Sequence, residues 1–225
     1  MQRAGVVVAA ICAPCHDVCV SEPQRAAYRH GNLPAAVLDE TIADLADADP
    51  VAINFHRIAK RLGVSHSAIY RHYPSKQDLI DALVQRGFER LGECLADALV
   101  GMDDASRQER IIAMGIGYVH CAVDNPILMR VTFSSSVDRN RETGVAPVAR
   151  RALGFLHHEV VAAAAEGLLG DKNPPDVTRY LWAGVHGEAL LRIETRFEGL
   201  PGGDPDPEAA TARTCRLLVA SVFDQ

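Results

Sequence analysis

Apolar residues recur at helical spacing along most of the chain and alternating β-branched runs are almost absent, which predicts an all-α protein. The first stripe is Leu38, Ile42, Leu45 and Ala46, with Asn32 placed to cap the helix and Pro34 tolerated in its first turn. A second stripe, Phe55, Ile58, Ala59 and Leu62, opens after Asn54, another capping residue, and stops at Gly63. Glycine there can turn the chain through positive φ, and Ser65 can cap a third, short helix whose Ile69 points inward. His66, Ser67, Tyr70 and Arg71 are left on its other faces. Pro74 stops that helix and Ser75 restarts the chain. Leu79, Ile80, Leu83, Val84, Phe88, Leu91 and Leu95 then predict a long helix over 76–99, about 24 residues or ~36 Å. Such a helix can join two layers.

Beyond Gly101 the same reading predicts helices over 106–124, 126–133, 147–169, 176–197 and 206–223, separated by turn-rich segments. The expected organisation is an extension over 1–27, a three-helix bundle with a helix-turn-helix over 28–76, and a second helical domain over 77–225.

Charge changes the picture in one place. Residues 54–76 hold Arg57, Lys60, Arg61, Arg71 and Lys76 and no Asp or Glu, within a chain whose net charge is −6. An uncompensated basic window on a helix-turn-helix pattern points to phosphate binding, confined to one patch because the rest of the chain is more acidic still. The acidic residues of the first helix, Asp39, Glu40, Asp44, Asp47 and Asp49, are expected to face away from DNA.

At 225 residues and 48% hydrophobic the chain can bury a substantial core and needs no disulfide framework. Its six cysteines, Cys12, Cys15, Cys19, Cys94, Cys121 and Cys215, are read as reduced, in a cytoplasmic protein. No apolar run approaches the ~20 residues that span a bilayer. Residues 4–13 behind Arg3 resemble a short signal-peptide core, a reading at odds with a DNA-binding element. The extension also carries Cys12-Ala-Pro-Cys15-His16, the spacing of covalent haem attachment, with Cys19 as a further thiolate. A haem or metal redox protein is therefore the rival reading; the bland one is an accidental motif in an unstructured or misassigned N-terminus.

The order of three helices, the GVSHSAIYRHYPSK turn and recognition segment, then a long connecting helix, resembles the TetR/AcrR family of one-component bacterial transcription regulators over residues 28–91. Tyr70, His72 and Lys76 match that family's Y-x-H-x-x-x-K run. The resemblance implies that Tyr70, His72 and Lys76 anchor phosphates, that His66 and Ser67 approach base edges, and that Asn54 and Arg57 reach the DNA backbone. Trp182-Ala-Gly-Val-His186-Gly187 is similar to the W-x-x-x-H-G of a subgroup with a so-called WHG C-terminal domain. That resemblance implies a homodimer built on the last two long helices, bound to an operator and released by a small-molecule effector held in the second domain.

Met114, Tyr118, Cys121, Met129, Phe133, Phe155, Trp182 and His186 are candidate pocket residues, although soft and aromatic side chains at helical spacing also serve simple core packing. His120, His157, His158 and His186 lack metal-ligand spacing, and no cofactor is expected. Neither a nucleophile elbow, a zinc-protease helix nor a phosphate-binding glycine loop occurs, so nothing in the sequence points to catalysis.

Overall fold

The structure, a computed structural model, describes residues 32–45, 53–134, 144–199 and 206–223. The extension with its cysteines and His16, the signal-like segment, and Ala46, Asp47 and Asp49 lie outside these residues. Within them nine α-helices and no strand follow one another, in the expected order.

Three short helices come first: α1 (Leu33–Leu45), α2 (Phe55–Leu62) and α3 (His66–Tyr70). Their ends are held by the capping chemistry in the sequence. The Asn32 and Asn54 side chains accept from the backbone N–H of Ala35 and Arg57, and Ser65 accepts from Ala68. Gly63 sits at φ 66°, ψ 28°, while Val64 N–H reaches back to the Ala59 carbonyl at 3.1 Å. This closes α2 with the left-handed turn that starts α3.

The inward face of α1 is rotated from the expected stripe. Val37, Thr41, Asp44 and Leu45 are buried, whereas Leu38 and Ile42 are only partly so. Two polar residues can go inside because each has a partner: the Thr41 hydroxyl donates to the Val37 carbonyl at 2.6 Å, and Asp44 meets arginines from α2.

Helix α4 (Lys76–Asp97) opens with a reciprocal capping box between Ser75 and Asp78 and runs for 22 residues. Its first turns lie beside α1, and the rest packs on α5 (Arg107–Asp124), α6 (Pro126–Thr132) and α7 (Val145–Ala165). A Cβ on Gly87 would stand 1.8 Å from the Thr132 hydroxyl, so glycine is what lets α4 and α6 touch. A second capping box, Ser106 with Glu109, starts α5 where the sequence placed it.

Helix α7 stops four residues short of its expected end because Gly167 takes φ 75° and Leu168 N–H closes on the Ala163 carbonyl. Helix α8 (Pro174–Ile193) ends before Thr195, at φ 52°, and a short 3₁₀ turn, Arg196–Gly199, replaces its expected last turn. Helix α9 (Pro207–Ala220) is capped by Asp206. One contiguous apolar cluster extends from Val37 to Phe223, with α5 at its centre between α8 and α9. Among the described residues no single helix is long and apolar enough to cross a membrane.

Candidate nucleic-acid interface and interior cavity

The α2–turn–α3 unit presents most of the expected reading residues to solvent. Asn54, Arg57, Ser67, Tyr70, Arg71 and His72 are exposed, and His66 and Lys76 are half-buried. His66 stacks on His56 of α2, with ring centres 4.1 Å apart and planes at 14°, and meets the edge of Tyr70 at 4.8 Å. Tyr70 in turn stands edge-on to the buried Phe55 at 5.0 Å. The start of α3 is thus braced by rings from α2. Behind it, the Tyr73 hydroxyl donates to the Pro34 carbonyl at 3.0 Å and ties α3 to α1. His56 was missed from sequence, because no helical period pairs residues ten apart across a turn.

The basic window is compensated in space. Arg57 binds Asp44 at 2.5 Å, and Arg61 binds Glu40 at 2.9 Å and Asp44 at 3.5 Å. The absence of carboxylates between residues 54 and 76 conceals this, since the carboxylates arrive from α1. The Asp44 contact lifts the Arg57 guanidinium further above its ordinary value. Two of the five cations thereby help hold α1 to α2. The Asn54 side chain likewise has work within the fold as the α2 cap.

The second domain holds a partly open cavity of about 510 Å³ among α4, α5, α7, α8 and α9. Of the eight expected pocket residues, Met114, Tyr118 and Trp182 line it. Cys121, Met129 and Phe133 instead surround a separate void of about 10 Å³ beside Gly87 and Thr132, too small for a ligand. Phe155 and His186 line neither. Most of the wall is aliphatic, with Leu153 and Leu156 from α7, Leu181 and Val185 from α8, and Leu218 and Val219 from α9. Sequence could not single these out, because an apolar side chain facing a hole has the same period as one facing a neighbour.

His186 acts from behind the wall. Its Nδ1 lies 2.8 Å from the Tyr118 hydroxyl, and burial lowers its pKa. A neutral imidazole accepting the phenol proton at Nδ1 fits both observations. Burial also pushes the Tyr118 phenol well above its ordinary value, so this pair stays uncharged. The Trp182 indole N–H, also buried, completes no hydrogen bond among the described residues. Trp182 leans on Phe133 at 6.1 Å, and Phe133 meets Phe88 of α4 edge-on at 5.5 Å. An aromatic chain therefore runs from the cavity wall to the long helix.

Among the described residues no three or more His, Cys, Asp or Glu side chains are grouped to hold a metal ion. Cys94, Cys121 and Cys215 are free thiols, and burial raises those of Cys121 and Cys215.

Fold and site together define a helix-turn-helix DNA-binding protein, joined through one long helix to a helical domain with a cavity. Two family models match it: that of the bacterial regulatory proteins of the tetR family over residues 38–83, and that of the tetracyclin repressor-like C-terminal domain over residues 111–221. An uncharacterised HTH-type transcriptional regulator of Mycobacterium tuberculosis is 28% identical over 178 residues, which cover 77% of this chain and 78% of the relative. A Rhodococcus protein of unknown function shares the fold at a TM-score of 0.74 and 22% identity, covering 88% of this chain and 98% of its own. The transcriptional regulator FadR of Bacillus subtilis, solved in complex with stearoyl-CoA, does so at 0.68 and 15%, covering 84% and 98%. The chain belongs to the TetR family and is a DNA-binding transcriptional regulator.

Proposed function

We propose that the protein is a homodimeric repressor that leaves its double-stranded DNA operator when a small-molecule effector enters the cavity of the second domain. The observation that carries this reading is the continuity from cavity to reader. Trp182 forms cavity wall, Phe133 bridges it to Phe88, and α4 continues from Phe88 back to Lys76, immediately after the recognition segment. A ligand that shifts Trp182 changes the packing against α4. The two recognition helices of a dimer must sit about 34 Å apart to enter successive major grooves, so a small tilt of α4 weakens binding. A coupling of about 1–3 kcal/mol corresponds to a ~5- to 150-fold change in operator affinity.

In this reading residues 28–76 bind DNA and 77–225 bind effector and dimerise, in the cytoplasm. Tyr70, His72 and Lys76 hold phosphates, with Arg71 beside them, and His66 and Ser67 face base edges. Asn54 and Arg57, occupied in the fold, position α2 along the backbone and contribute less charge than the sequence implied. Dimerisation through α8 and α9 is supported by Tyr180 and Leu217, large side chains 48% and 71% exposed on these helices.

Tyr70→Ala and Lys76→Ala are expected to weaken binding to every DNA sequence by similar factors, and Lys76→Ala to lower the salt slope by about one. Binding titrations across a salt series decide this: operator affinity unchanged in both variants refutes the assignment of the reading face.

A further inference from the structure

The formally charged side chains that line the cavity are both arginines. Its walls are mostly apolar; Arg150 and His157 from α7 and Arg179 from α8 stand among the lining residues beside the uncharged Tyr118 and Cys215, and no carboxylate lines it. Arg150 and His157 lie seven apart on α7, so both fall on one face of that helix. His157 Nδ1 sits 3.1 Å from the Thr178 hydroxyl of α8, which draws the two helices into a common polar rim. Arg179 shares its guanidinium with Asp176 at 3.1 Å, whereas Arg150 has no partner among the described residues.

We infer that the effector is an apolar organic acid, with its hydrocarbon part among Leu153, Leu156, Leu181 and Val185 and its carboxylate at Arg150, seconded by Arg179. This rests on the reading of the cavity as the effector site and adds the ligand's chemical class. The apolar interior rewards a hydrocarbon in proportion to the area it removes from water. The rim then selects among hydrocarbons by head group. An ammonium meets two guanidinium groups against the one carboxylate of Asp176, an alcohol meets donors it can satisfy only partly, and a carboxylate can take the planar fork of an arginine at two oxygens. Lipophilic cations are thereby disfavoured.

Trp182 is the chain's single tryptophan and lines the cavity, so its emission reports occupancy without a label. The purified full chain is titrated with decanoate, decanol and decylamine, which share a tail and differ in head. Decanoate is expected to bind about tenfold more tightly than decanol and more tightly still than decylamine. Arg150→Gln, at an exposed position, removes the advantage over decanol. Leu153→Phe, which fills the cavity, weakens both. Equal affinity for decanoate and decanol, or an Arg150→Gln variant that keeps the preference for the acid, overturns this inference and leaves the cavity reading standing. Failure of all three compounds to perturb Trp182 removes the cavity reading and this inference with it.

Discussion

The reader and the cavity-bearing half are stapled by the same device. In the first, Asp44 of α1 is buried between Arg57 and Arg61 of α2; in the second, Glu159 of α7 is buried between Arg107 and Arg110 of α5. Each is a carboxylate only 3% exposed, held by arginines three or four apart on a facing helix. The surroundings differ. Asp44 joins short helices packed around Val37, Ile58 and Ile69, none of which is exposed. Glu159 pins the α5–α7 seam of a domain that keeps an apolar cavity open. Side chains around a cavity lose the contacts a filled core would give them, so such a domain needs fixed walls from another source. The reader needs rigidity to match a groove, and the second half needs it to keep its cavity from collapsing.

The largest break in this arrangement is expected at the junction between the halves. Gly87→Val drives a side chain into Thr132, whose hydroxyl already stands 1.8 Å from where a Cβ would go. The cost should be about 3 kcal/mol, the upper range for overpacking, read as a lower urea midpoint at unchanged slope. A midpoint equal to that of the wild type would mean that α4 and α6 do not make this contact.

Neutralising the two staples compares the halves directly. Arg57 and Arg61 are 44% and 43% exposed, so screening leaves Asp44→Asn a loss of about 1 kcal/mol. Arg107 and Arg110 are 29% and 17% exposed, which makes Glu159→Gln worth about 2 kcal/mol. Burial raises the Glu159 carboxyl, but Arg110 and Arg107 together more than reverse this and hold it below its ordinary value. A depressed carboxylate stabilises the fold fully above the unfolded pKa of about 4.3, and that contribution is lost as pH falls through the folded value. The stability gap between wild type and Glu159→Gln should therefore narrow steadily below about pH 4. Urea midpoints across that range test it, and a gap independent of pH would show that the Arg107 and Arg110 contacts do not depend on the carboxylate's charge.

Sequence revealed the reader more fully than the cavity for a physical reason. Caps, a turn glycine and a charge run act over three or four residues, so Asn54, Gly63, Ser65 and Ser75 mark their helix boundaries unaided. What escaped even there acts across helices: the stacking of His56 on His66, and the carboxylates that neutralise Arg57 and Arg61. In the second half the informative quantity is absence of volume, which leaves no trace in periodicity. Of the side chains that polarity and softness single out, Met114, Tyr118 and Trp182 line the cavity, whereas Cys121, Met129 and Phe133 surround the small void beside Gly87. Local rules misjudged the ends of α7 and α8 as well, where Gly167 and Thr195 take positive φ inside otherwise continuous apolar patterns.

The smallest expected effect is the most informative about how the halves communicate. Phe133 stands between Trp182 at 6.1 Å and Phe88 at 5.5 Å, and touches neither DNA-facing residues nor the large cavity. Phe133→Leu keeps an apolar side chain of similar reach and removes the ring that Trp182, Phe88 and His186 all meet. Operator affinity without ligand and ligand affinity without DNA should each change less than threefold. The coupling between them should fall by about 0.5–2 kcal/mol, because the shift of Trp182 no longer presses on α4. Measuring ligand affinity with and without operator gives the coupling directly, and linkage requires the same factor when the order of addition is reversed. Undiminished coupling in this variant would place the route elsewhere, for which the direct packing of α7 and of α5 on α4 remains.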